Sequence, residues 1–197
     1  LSSDLGSVVN FRRVENVGPK VSNELLIAGL LAITLSLAAM LIYIWIRFEW
    51  QFSLGAIIAL IHDVIITVGI FSFLSYEVNL SIVAAVLTIV GYSMNDTVVI
   101  FDRIRENLKK YSKISISDIS NTSTNETLSR TLITSTTTLL ALFSIYIFGG
   151  AILKGFSFAM IIGVIVGTYS SIFVATPVLN YTNVNQKTVL KDDTEKN

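Results

Sequence analysis

Five apolar stretches divide the chain: Leu25–Ile46, Phe52–Leu74, Leu80–Phe101, Thr131–Phe148 and Phe156–Val178. About 20 apolar residues, rising 1.5 Å each, cross a ~30 Å hydrocarbon core, so each stretch can span a membrane, the fourth only just. Backbone groups in lipid must be satisfied within their own segment, which makes all five stretches helices. The pattern predicts an all-α integral membrane protein whose five transmembrane helices occupy residues 25–178. Residues 1–24 differ. Their branched residues and alternating charges predict a strand and a turn, and Pro19 suits the first turn of a helix. The first helix is therefore expected to begin near Pro19 and to enter the membrane near Leu25. A piece this short cannot fold alone, and is expected to be the end of a larger exported domain. Residues 179–197 are polar and mixed in charge, and are expected to form a disordered cytoplasmic tail.

Composition narrows the chemistry. The chain is 52% hydrophobic and 14% charged, against about 25% charged in an average soluble domain. Its formal net charge is zero, so no bulk field attracts nucleic acid. It has no cysteine and one histidine, which removes disulfides, thiolate metal sites and cysteine nucleophiles and argues against a histidine zinc site. No enzyme activity, resident cofactor or metal is expected.

Charge also sets the expected orientation. Arg47, Arg103, Arg105, Lys109, Lys110, Lys113 and Arg130 and the tail lysines fall at one end of the helices, whereas the other end has Lys154. The basic end is expected to be cytoplasmic, with the N-terminal piece outside. Tyr43, Trp45, Phe48, Trp50 and Phe52 around the first turn read as an interfacial aromatic belt. Residues 113–126, rich in Ser, Asn and Thr, read as the longest loop. Before it, Phe101, Ile104 and Leu108 share one face of a surface extension of the third helix.

Residues four apart share a helix face. The rows Gly55–Ala59–Asp63–Thr67, Ala84–Thr88–Tyr92–Asp96, Arg130–Thr134–Thr138 and Gly163–Gly167–Ser171–Ala175 are small or hydroxylated. Such rows let helices approach closely and hydrogen-bond to one another. Three of them carry an ionisable group. A carboxylate at the centre of a membrane helix costs roughly 2.5–3.5 kcal/mol on the insertion scale, so it needs compensation. Asp96 and Arg130 are the leading candidates for an ion path, with His62, Asp63, Asn95 and Thr134 as supporting polar groups. Structural polar contacts, a solvated aspartate at a helix end and a snorkelling arginine remain open alternatives.

Four segments carry a resemblance. They are NVGPKVSNEL at Asn16–Leu25, LGAIIALIHDV at Leu54–Val64, VGYSMNDTVVIFDRIREN at Val90–Asn107 and NETLSRTLITSTTT at Asn125–Thr138. In these segments the chain resembles the SecF family, the smaller membrane subunits of the SecD–SecF accessory complex of bacterial protein export. The resemblance runs from Asn16 to about Pro177. It implies a bundle half of the resistance-nodulation-division type, with six membrane helices in intact members and a large exported domain between the first two. It implies the bacterial inner membrane and, as partners, SecD, the SecYEG translocon, a YajC-like accessory protein, the exported polypeptide and the lipid bilayer. It also implies ion conduction through Asp96 and Arg130 where the chain meets SecD, with H+ or Na+ as the coupling ion. An efflux-type small-molecule antiporter and a purely structural membrane scaffold are the rival readings.

Overall fold

The computed structural model describes residues 19–75, 80–111, 114–182, 184–186 and 188–189. Among them are long helices α1 (Pro19–Arg47), α2 (Trp50–Phe73), α3 (Leu80–Lys110), α4 (Ile116–Phe148) and α5 (Gly150–Ser170). A π turn (Ser171–Ala175) joins α5 to the short α6 (Thr176–Tyr181). Five segments are long and apolar enough to cross a membrane, and no strand occurs among the described residues. α1 is helical from Pro19, the first described residue. The expected strand and turn lie, apart from residues 19–24, outside the described residues.

The helices surround α3 and α5, which lie against each other; α2 and α4 flank that pair, and α1 packs on α3 and α2. Half of each span is buried for α3 and for the α5–α6 run, but 11% for α1 and 17% for α4. Glycines explain the tight central pair. A Cβ on Gly163 would collide with Ile89, and one on Gly167 would come within 2.9 Å of Ser93 Cβ. Two apolar clusters fill the bundle. One joins Phe48, Phe52, Phe101, Ile104 and Leu108 near the α1–α2 turn; the other joins Phe71, Ile89, Ala159 and Val164 towards the opposite end.

Three sequence expectations are corrected. Residues 116–126 are helical rather than a loop, and α4 starts at Ile116. Ser115 caps it: its hydroxyl accepts from the Asp118 amide at 3.2 Å and donates to the Asp118 carboxylate at 2.7 Å. That places an acid in the first turn, where the helix dipole favours it. One of the hydroxylated residues that suggested a loop, Ser123, is buried and meets Asn107 of α3 instead. The aromatic belt is also split. Tyr43, Trp45 and Trp50 are exposed, but Phe48 and Phe52 are core residues, packed edge-on against Phe101 with ring centroids 6.2 and 5.2 Å away. The tail is not wholly free of the bundle. Val184 and Val189 are buried in the first cluster, and the Gln186 side chain donates to the Lys109 carbonyl at 3.1 Å. Residues 190–197 lie outside the described residues.

The π turn has a local cause. Pro177 has no N–H, and its ring crowds the carbonyl four residues earlier, so the ladder before it opens by one residue. The Ser171 carbonyl accepts the Thr176 hydroxyl at 2.9 Å.

Candidate functional site

Two carboxylates sit in the membrane part, on different seams. Asp63, near the middle of α2, is fully buried. Its Oδ2 accepts from Ser93 Oγ of α3 at 2.5 Å and from Ser170 Oγ of α5 at 2.8 Å. Its Oδ1 lies 3.1 Å from His62 Nδ1. His62 is half-buried and stacks on Tyr169, ring centroids 6.5 Å apart. The network continues beyond the carboxylate. Ser171 Oγ lies 2.8 Å from Thr97 Oγ1 and 2.9 Å from the Gly167 carbonyl, and Thr97 Oγ1 lies 3.2 Å from the Ser93 carbonyl. Three helices thus meet at one polar knot inside an apolar bundle. Each donor to Oδ2 is a neutral hydroxyl, so the knot satisfies hydrogen bonds without supplying charge.

Asp96 belongs to the α3–α4 seam. Tyr92, Asp96, Arg103 and Asn107 share one face of α3. Tyr92 donates to Thr138 of α4 at 3.3 Å, Arg103 to Glu126 at 2.6 Å, and Asn107 to Ser123 at 2.9 Å. These cross-pairs define an antiparallel register with Asp96 level with Thr134 and about a turn from Arg130. Asp96 is 4% exposed, and its Oδ2 has no hydrogen-bond partner. The positive charge of Arg130 acts on its carboxyl. Arg130 itself is exposed, as is Asn95 beside Asp96. Thr134 is half-buried, and its hydroxyl donates to the Arg130 carbonyl at 2.9 Å rather than across the seam.

The structure therefore places Asp96 and Arg130 on facing helices of one seam and sets Asp63 and His62 on the neighbouring seam, against Ser93 of α3. The groups missed in the sequence are Ser93, Thr97 and Ser170. Ser93 and Thr97 form a second row on α3, one position over from the Ala84–Asp96 row, so their spacing was available. Which row faced α5 was not.

A charged collar closes the end of the bundle at the α1–α2 turn. Arg105 pairs with Glu49 at 3.1 Å, with side chains 12% and 5% exposed. Arg47 pairs with Asp102 at 2.8 Å, both about two-fifths exposed. Among the described residues no group of three or more acidic, histidine or cysteine side chains could hold a metal ion.

Comparison with known proteins places this geometry. Residues 2–185 match the family described as protein export membrane protein SecD/SecF, C-terminal. The protein translocase subunit SecF of Cereibacter sphaeroides is 50% identical over 184 residues, covering 93% of this chain and 57% of the relative. That of Rickettsia bellii is 55% identical over 169 residues, covering 86% and 56%. Among solved structures, SecDF from Thermus thermophilus, described as a translocon-associated membrane protein, matches with a TM-score of 0.80 at 42% identity. That match covers 85% of this chain and 23% of the solved chain. The chain spans somewhat more than half the length of these curated relatives. It belongs to the SecD/SecF family of protein export membrane proteins, and within that family its matches are to SecF.

Proposed function

We propose that this chain is the membrane part of an ion-coupled auxiliary subunit of bacterial protein export. On this reading it sits in the inner membrane with its basic collar in the cytoplasm, the N-terminal piece in the periplasm and the C-terminus inside. SecD covers the seam that exposes Arg130 and Asn95. The SecYEG channel, a YajC-like protein and the exported polypeptide complete the assembly. The chain breaks no covalent bond and holds no resident cofactor; H+ or Na+ is the coupling ion.

One observation carries the reading. Asp96 is buried in a membrane helix with an unpartnered carboxylate oxygen, and the nearby cation, Arg130, stands at an exposed edge. Burial favours the neutral acid and Arg130 favours the ionised one, so a change at that edge can switch the group. One charge crossing 100 mV releases about 2.3 kcal/mol, enough to bias two conformations of similar energy. The names of the relatives favour protein export over small-molecule efflux.

The test is Asp96→Asn in the full-length protein with its partner. Gradient-dependent export is expected to fall to the level seen without a gradient, while protein amount and partner assembly stay normal. Unchanged export would leave the scaffold reading.

A further inference from the structure

We propose that the groove between α4 and the run of α5 and the π turn holds one phospholipid. An acyl chain lies along the groove, and the glycerol and phosphate oxygens sit at the end nearest the collar.

The cavity comes first. It encloses about 650 Å³, a volume ordinary for a ligand pocket. Asn121, Thr124 and Asn125, near the start of α4, form its polar end. Neighbouring Ser123 and Glu126 bond to Asn107 and Arg103, which places that end beside the collar. Further along, the walls are Leu128 and Leu132 of α4 and Ile165 and Ile172 opposite. Tyr169 and Phe173, ring centroids 5.0 Å apart, form the outer lip. Ser135 and Thr168 meet at 2.7 Å beside the groove and fix the spacing of the two helices.

Three observations select the occupant. The first is polarity along the axis. Amides and a hydroxyl at one end suit ester and phosphate oxygens, and the rest suits hydrocarbon. Among the described residues, none that lines the groove is charged, so net headgroup charge is not what is recognised. Tails are as apolar as leucine, so the polar end is what distinguishes a resident lipid from one in passing. The second is width. Spread along residues 121–132, about 16 Å of helix, the volume makes a slot roughly 6 Å wide. A helix with its side chains is about 10–12 Å across and can only lie over such a slot, whereas one acyl chain enters it. The third is the side of α4. Residues two apart lie about 200° around a helix, so Leu128 and Leu132 point away from exposed Arg130 between them. If the partner subunit covers Arg130, as proposed above, the groove is on the side left to lipid; the site needs no ion coupling. A lipid seated there supports α4, which has 17% of its span buried within the chain.

The experiment uses the full-length protein with its partner, reconstituted in vesicles of phosphatidylethanolamine and phosphatidylglycerol. The probe is a phosphatidylethanolamine with a photoreactive diazirine in one acyl chain. The complex is extracted into dodecyl maltoside, which strips loosely held lipid, and is then irradiated. Mass spectrometry locates the labelled residues. Label is expected on Leu128, Leu132 or Ile165, and not on Ile27, Leu31 or Leu35 of the exposed α1 face. Leu132→Trp, which fills the groove from a half-exposed position, should reduce groove label to the α1 level. Asn121→Ala combined with Asn125→Ala should lower it too. Asp96→Asn, the test of the relay, should leave it unchanged, so the two readings fail separately. Label no greater in the groove than on α1, or groove label indifferent to Leu132→Trp, would overturn the proposal. So would a photoreactive side chain at position 132 that captures the partner polypeptide and no lipid. Should Leu132→Trp fail to assemble, undiminished label in the double asparagine variant overturns it equally.

Discussion

Ser93 Oγ donates to Asp63 Oδ2 at 2.5 Å, and Asp96 follows Ser93 by less than one turn of the same helix. α3 therefore carries one buried carboxylate and a hydrogen bond to the other, on faces turned towards different neighbours. A small rotation of α3 alters the surroundings of both at once.

The seam between α3 and α4 gives the first prediction. Arg130→Ala removes the charge that acts on Asp96; Arg130→Lys keeps it. Gradient-dependent export should be lost in the alanine variant and partly retained in the lysine variant, with equal amounts of assembled complex. Equal loss in both would show that guanidinium geometry, and not charge, is what matters.

Close approach of α3 and α5 gives the second. Gly163→Ala forces a methyl into Ile89, and Gly167→Ala forces one against Ser93. Overpacking of this kind costs about 1–3 kcal/mol, so the unfolding temperature should fall in each. Gly69→Ala is the control, because nothing lies within 4 Å of its new methyl. It should be neutral, or stabilising by up to about 1 kcal/mol through helix propensity.

The collar allows two ion pairs to be compared in one molecule. Glu49 and Arg105 are nearly buried, whereas Arg47 and Asp102 are well exposed. Arg105→Met alone should cost about 3–5 kcal/mol, because it breaks a nearly buried ion pair by removing one partner. Adding Glu49→Gln should recover much of that loss. Asp102→Asn should cost about 0–1 kcal/mol. Denaturation of the purified complex, read as a double-mutant cycle, checks all three.

How much of this was legible beforehand depended on the kind of signal. Five runs of some 20 apolar residues are an unambiguous pattern, and the small-residue rows on α2 and α5 correctly marked inward faces. The α3 row, by contrast, starts at exposed Ala84 and Thr88, and the buried face of α4 is Thr127, Thr131 and Ser135 rather than the Arg130 row. Tyr92 meeting Thr138 joins two of those rows. The start of α4 was misread because Ser, Thr and Asn weaken a helix by competing for its backbone, yet serve equally well as cross-helix donors. Ser123 does this, accepting from Asn107 at 2.9 Å. Asp63 was ranked below Asp96 because its partners Ser93 and Ser170 are 30 and 107 residues away in sequence. No local pattern can reveal such a meeting.

Removal of residues 183–197 is the fourth prediction. It takes away Val184 and Val189 from the core cluster, and Gln186 from the Lys109 carbonyl. Each buried valine contributes about 1.5–3 kcal/mol as an upper bound. The unfolding temperature should drop, and restoring residues 183–189 alone should recover it. An unchanged transition would show that the segment adds nothing to stability.

The glycine contacts of α5 bear on motion. With Ile89 and Ser93 seated where side chains at Gly163 and Gly167 would otherwise stand, α3 and α5 interlock and cannot slide lengthwise past one another. They form the stator of the bundle. Movement relative to that stator falls to α1 and α4, whose flanks are the least covered.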